Sequence, residues 1–216
     1  MILKATLSLL LPFASASPDP RTAPARIHLR LPRVSPERRL RRAALRGRPV
    51  VLGTPAAPYV PGGRSPLVAL EGVEGLEISV VTRSPEITGE LGLLADLDRR
   101  CSVTVDLLLP AADALLAWKL DPEGSGPQAR LDAVSRLAAE GIAVRVLCRL
   151  VDGVNDSEAA LRKLLAAARD AGASDVHPLA APQSRLRPHR ETGAALDTFR
   201  RLRLEYGFPR QMPGRG

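Results

Sequence analysis

Eight residues of this chain have the types and spacing to hold a small polar ligand: Thr54, Tyr59, Thr82, Arg83, Ser84, Asp106, Asn155 and Asp156. The hydroxyls both donate and accept hydrogen bonds, Arg83 offers a planar fork of N–H donors to a carboxylate or phosphate, and the two aspartates accept from hydroxyls or amines. Each lies at or just past an apolar run. Val50, Val51 and Leu52 lead to Gly53-Thr54, and Leu76–Val81 leads to Thr82-Arg83-Ser84. Val103-Thr104-Val105 leads to Asp106, and Ile142–Cys148 leads to the loop Gly153-Val154-Asn155-Asp156. A buried parallel strand ends this way when its carboxyl edge delivers a loop to a site. Local structure gives the same residues plainer roles. Ser84 suits a helix N-cap, Thr82 a strand interior, Asn155 and Asp156 a turn and N-cap, and Asp106 is a cleft carboxylate or an edge residue.

The elements that must position these residues follow in a regular order. Arg26 to Leu31 alternates apolar and basic positions, as a half-exposed strand does. Ser35-Pro36-Glu37 starts a helix that ends near Gly47. Strand 50–53 precedes a loop rich in Pro and Gly, then a short helix over 67–73. Strand 76–82 precedes a helix begun by Ser84-Pro85-Glu86, with Ile87, Leu91, Leu94 and Leu97 on one face. Strand 102–109, a helix over 110–119 that Pro110 begins, and a second helix over 127–140 come next. The second helix carries a stripe of Leu131, Val134, Leu137 and Ala138 and stops at Gly141. Strand 142–149, helix 157–171, strand 176–179 and helix 191–206 complete the pattern, the last with Leu196, Phe199, Leu202 and Leu204. Trp118 is expected to pack behind its helix. Strands alternating with helices call for parallel pairing, hence an α/β fold. No glycine-rich dinucleotide turn follows any strand, so an open or partial barrel fits better than a doubly wound sheet.

At 216 residues and 45% hydrophobic content the chain can fill one core, and aromatics are only 3%, so Leu, Val and Ala must pack it. The formal charge of +8 resides in the flanks: residues 21–48 hold ten Arg against Glu37, and residues 183–216 hold eight against three acids. Between them residues 49–182 are acidic on balance, so phosphate contacts with nucleic acid would come from the flanks, including Arg38, Arg39, Arg41, Arg42, Arg46 and Arg48. The bland alternative is a solvated Arg-rich helix and tail. Cys101 and Cys148 sit in apolar surroundings as buried free thiols, which fits a reducing cytoplasm. His28, His177 and His189 are scattered and read as surface or satisfied residues rather than ligands. No apolar run is long enough to span a bilayer. The start, with Lys4 and then ATLSLLLPFA, reads either as a strand over Thr6 to Leu11 or as a short export signal ending at Ala14-Ser15-Ala16.

Taken together these segments resemble the radical S-adenosylmethionine superfamily, in the branch related to spore photoproduct lyase. That branch carries G-T-x-x-x-P-Y-x-P after a strand, matched by Gly53, Thr54, Pro58, Tyr59 and Pro61. Its T-K-S is similar to Thr82-Arg83-Ser84, and its L-E-P ahead of P-x-x-R-L to Leu120-Asp121-Pro122 and Pro127, Arg130, Leu131. Its G-L-N-D-x-E resembles Gly153, Val154, Asn155, Asp156 and Glu158. The resemblance covers about residues 26–182 and implies a partial (βα)6-type barrel there. Residues 1–25 and a basic C-terminal helix and tail over 183–216 flank it.

The departures bear on function. The superfamily holds a [4Fe–4S] cluster on C-x-x-x-C-x-x-C after the first strand, and the matching stretch, Pro12 to Pro20, contains no cysteine. The family's Asp before P-Y is Ala57 here, and its S-x-T-T turn is replaced by Asp106-Leu107-Leu108-Leu109. The cluster expected of the family is thus not supported by this sequence, and no metal ligand or catalytic residue is assigned. The resemblance then implies residual binding of S-adenosylmethionine or another nucleotide-like small molecule by Thr54, Tyr59, Thr82, Arg83, Ser84, Asp106, Asn155 and Asp156, without radical catalysis. Two alternatives stand beside it: a truncated form of an active radical iron–sulfur enzyme, and a basic nucleic-acid-binding module. Neither involves a membrane.

Overall fold

Six strands run side by side in chain order, and every neighbouring pair is parallel. They are β1 (Ile27–His28), β2 (Val50–Leu52), β3 (Glu77–Thr82), β4 (Ser102–Leu108), β5 (Ala143–Arg149) and β6 (Asp175–Leu179). The computed structural model describes residues 27–28, 49–62, 65–179 and 192–209. The expected strand or signal over Thr6 to Leu11, the Pro12 to Pro20 stretch, the helix begun at Ser35 and most of the Arg-rich flanks lie outside the described residues. The helices are α1 (Leu91–Asp98), α2 (Ala114–Leu120), α3 (Pro127–Ala139), α4 (Glu158–Asp170) and α5 (Thr192–Glu205). Short 3-10 helices occupy Pro66–Leu70 and Pro85–Glu90. The expected α/β partial barrel with parallel strands is the fold.

The period-two alternation of each strand separates two faces. Ile78 and Val80, then Val103, Val105 and Leu107, then Val144, Val146 and Cys148 turn to the helices. There they meet Leu94 and Leu97 of α1, Val134 and Leu137 of α3, Leu161 and Leu165 of α4, and Phe199 and Leu202 of α5 in one core. Each such side chain withdrawn from water stabilises the fold by about 1.5–3 kcal/mol before entropy is counted. The last helix is part of this core, because Phe199 and Leu202 are 0% exposed. The opposite face carries Val51, Val81, Leu108, Leu147 and Leu179 as a second apolar cluster. On the same alternating positions it also carries Ser79, Asp106, Arg145, Asp175 and His177.

Several expected details are corrected. Pro110 does not begin a helix: α2 starts at Ala114, after Asp113 accepts from the Leu115 and Leu116 amides. Trp118 is 64% exposed rather than packed, since α2 buries Ala117 instead. The helix after Ser84 begins as a 3-10 turn, and Ser84, though at its N-cap position, directs its hydroxyl to the Glu86 carboxylate and not to the backbone. Ser157, not Asn155 or Asp156, caps α4 by accepting from the Ala160 amide. Leu204 is exposed, whereas Phe199 and Leu202 are buried. Gly141, at φ 80°, does stop α3 as the sequence requires.

Candidate functional site

Parallel strands put all their carboxyl ends on one edge, and the candidate residues come from that edge. Thr54 follows β2, Arg83 and Ser84 follow β3, and Asn155 and Asp156 follow β5. Asp106 lies lower, inside β4 on the face away from the helices.

The β2 and β3 ends are welded together. Tyr59 forms a parallel bridge with Thr82; its N–H donates to the Val81 carbonyl at 2.6 Å, and the Thr82 hydroxyl donates to the Tyr59 carbonyl at 2.6 Å. The same Thr82 oxygen accepts from the Ser84 amide at 3.1 Å, so Thr82 organises the turn out of β3. Thr54 closes its own turn, accepting from the Ala57 amide at 2.9 Å. The backbone at Gly53 has φ 80°, and a Cβ there would lie 2.5 Å from both the Tyr59 nitrogen and the Val81 oxygen. Only glycine meets both demands. The sequence G-T-P-A-A-P-Y, residues 53–59, is therefore a device that folds a loop back onto the neighbouring strand end.

The Tyr59 ring reaches further. Its hydroxyl donates to the Glu90 carboxylate at 2.7 Å and lies 3.1 Å from the Ser65 hydroxyl. Burial pushes its pKa up to about 12, with the Glu90 carboxylate adding to the rise against the Ser65 hydrogen bond. The other Glu90 oxygen is buried without a hydrogen-bond partner among the described residues.

Arg83 leaves β3 with its side chain 40% exposed and donates to Asp121 at 3.0 Å. Asp121 also binds Arg130, which is 1% exposed and donates to the Leu108 carbonyl at 2.8 Å. The ends of β3 and β4 are joined through these three side chains.

Asp106 is 3% exposed and is held on both sides. It is directly opposite Arg145 in the β4–β5 register, and Arg145 donates to it twice, from Nε at 2.6 Å and from Nη2 at 2.7 Å. Ser79 donates to it from β3. Burial disfavours the Arg145 charge, yet the hydrogen bonds and attraction of Asp106 hold its pKa above the usual arginine value. Asp106 is thus a clamped structural ion rather than an open cleft carboxylate. Across β6, Asp175 accepts from Arg203 at 2.5 Å and contacts His177 at 2.6 Å. Burial would raise the Asp175 pKa, and those two partners more than reverse it, leaving it below the usual aspartate value.

Asn155 is 2% exposed and spends its polar atoms on the backbone. It donates to the Pro110 and Arg149 carbonyls at 2.7 and 2.8 Å and accepts from the Val151 amide at 2.7 Å. It staples the β5 loop to the β4 loop and offers nothing further to a ligand. Asp156 stands beside it, half-buried. A depression of about 200 Å³ opens between the β4 loop and the start of α4, floored by Ala111, Leu116 and Ala160 with Lys163 at its side. None of the eight sequence-selected residues lines it.

Sequence reasoning missed Arg145, Glu90, Ser79 and the role of Asp121. Arg145 had a readable signal, a charge inside the apolar run of β5, which needs a partner on an adjacent strand. Glu90 and Ser79 carried none, because only the folded chain brings them to Tyr59 and Asp106.

No protein-family model and no curated protein matches this sequence. Among solved structures, Streptococcus suis SuiB bound to S-adenosylmethionine aligns with a TM-score of 0.54 at 16% identity, covering 74% of this chain and 36% of that one. SuiB bound to its precursor peptide SuiA aligns at 0.51 and 17% identity, covering 68% and 32%. A radical SAM methyltransferase from Sphaerobacter thermophilus is a weaker likeness, at 0.44 and 23% identity, covering 62% and 39%. The SuiB likenesses establish a shared fold, and this chain spans about a third of the length of those structures (32% and 36%).

Proposed function

We propose that this chain is a radical S-adenosylmethionine-type domain, of the branch related to spore photoproduct lyase. In this reading it binds S-adenosylmethionine or a related nucleotide at the carboxyl edge of its sheet and performs no radical chemistry with its own residues. The observation that carries the reading is the welded rim of β2 and β3. Tyr59 and Thr82 fix each other, and Arg83, still 40% exposed, emerges next to them in a fold shared with a protein bound to S-adenosylmethionine. Arg83 and Asp156 supply the charge pair and the acceptor for a ligand's amino-acid or ribose part.

The thiols of this chain do not fit a [4Fe–4S] cluster. Cys101 precedes β4 and donates to the Val73 carbonyl at 3.3 Å, while Cys148 is the sixth residue of β5. In the parallel register that separation is roughly 25 Å along the strands, at about 3.3 Å per residue. Burial pushes the Cys148 thiol up to about 12, so it stays protonated, whereas cluster ligands must be thiolates.

Isothermal titration of the purified chain with S-adenosylmethionine tests the binding half: heat of binding that saturates below millimolar ligand is expected, and none at millimolar ligand ends the proposal. Anaerobic reconstitution with iron and sulfide tests the other half. The expected product has no stable visible absorbance, and a persistent cubane-type band refutes the loss of the cluster.

A further inference from the structure

Asp121 stands between two arginines. Its Oδ1 accepts from Nη1 of Arg83 at 3.0 Å, and its Oδ2 accepts from Nη2 of Arg130. Arg130 is buried and anchored by Nη1 to the Leu108 carbonyl at the end of β4. Among the described residues its Nε is buried without a partner, and these two contacts are the ones that satisfy it. A Cβ at Gly124 would fall onto both Arg130 and the Asp121 carboxylate, so the loop is bare where the bridge passes. One carboxylate and one buried arginine already form a neutral pair. A third charge beside them is tolerated only if it stays wet. Arg83 does, with its side chain 40% exposed against 18% for Asp121 and 2% for Arg130. The cluster therefore carries one surplus positive charge, and that charge is presented at the rim where β3 ends.

We infer that Asp121 is a positioning residue: it holds the Arg83 guanidinium in place as a preset receptor for the anionic group of the bound ligand, a carboxylate or a phosphate. This rests on the ligand-binding reading above. Asp121 takes one corner of the guanidinium, and no other hydrogen bond of Arg83 reaches a described residue. The Nε–Nη2 edge is left for a two-point grip on an oxyanion. Fixing the group before binding removes the ordering cost that a free arginine would incur on contact.

The test is calorimetric titration of the folded chain with S-adenosylmethionine, AMP and adenosine, which carry a carboxylate, a phosphate and no anion. Arg83→Gln leaves the Asp121–Arg130 pair intact and should fold. It is expected to lose about tenfold or more in affinity for the anionic ligand, the worth of a charge-assisted hydrogen bond, with adenosine unchanged. Which of the two anions shows the loss identifies the source. Asp121→Asn strands a buried arginine and is checked by thermal melting. Asp121→Glu, which keeps the charge but lengthens the arm by one methylene, serves if it does not fold. Asp121→Glu should weaken the same anionic ligand while leaving adenosine unchanged, a split that a purely structural role would not produce. If the wild-type chain binds but the single variants stay within twofold of it, this inference is overturned and the ligand reading survives. If the wild-type chain gives no heat with any of the three, the ligand reading falls and the receptor goes with it.

Discussion

Gly53 and Tyr59 together decide whether the rim exists. Gly53→Ala asks for a side chain at φ 80° against two backbone atoms at 2.5 Å, so the Tyr59–Thr82 bridge must open to admit it. A loss of about 1–3 kcal/mol is expected from the strain alone, read as a lower denaturation midpoint, together with weaker ligand binding. Retention of wild-type stability would mean that the weld is dispensable. Tyr59 offers a second measurement at the same place. Its folded pKa is raised, so its contribution to stability is complete below pH 10.0 and is lost as pH rises through about 12. In a Tyr206→Phe background the remaining tyrosine signal belongs to Tyr59, and its tyrosinate absorbance should appear near pH 12. A midpoint at 10.0 would place the ring in water rather than against Glu90.

At the scale of elements, the helices that follow β4 and β5 start at residues different from those the sequence first suggested, and the caps explain why. Asp113 accepts two amide hydrogens and Ser157 one, so each fixes the first turn of its helix where Pro110 and Asn155 do not. Asp113→Ala should cost about 1 kcal/mol through α2, whereas Pro110→Ala should leave that helix start unchanged. Amide exchange at Leu115 and Leu116 reports the difference, and equal protection in both variants would contradict the assignment. The misreading was natural. Proline at a first helical turn and Asn-Asp before a helix are sound local signals, but Asn155 was already committed to the Pro110 and Arg149 carbonyls. A side chain spent on tertiary hydrogen bonds cannot also cap.

For the molecule as a whole, α5 is tied to the sheet edge by Phe199 and Leu202 in the core and by Arg203 on Asp175. The Asp175 pKa is depressed despite its burial, because His177 and Arg203 hold the charged form. Its stabilisation is therefore fully present above the unfolded value of 3.8 and is lost as pH falls below it. Asp175→Asn should flatten the acid limb of stability below about pH 4. The readout is loss of α5 protection in hydrogen exchange, and an unchanged acid limb would remove Asp175 from the linkage. Among the described residues, no helix is long and apolar enough to cross a membrane.

The sequence alone determined the alternation of strands and helices, and with it the parallel order, because apolar periodicity switches between two and 3.6 residues at each boundary. That order also put Thr54, Arg83 and Asn155 on one edge, since parallel strands share a direction. Which of those side chains remain available to a ligand was decided only by the tertiary structure. Asp106 meets Arg145, Asn155 meets two carbonyls, and Thr82 meets Tyr59 across neighbouring strand ends separated by many residues in sequence. A polar group at an edge is open or spent according to partners that no local pattern names, and folding left Arg83 half in water while burying Thr54, Thr82, Asp106 and Asn155.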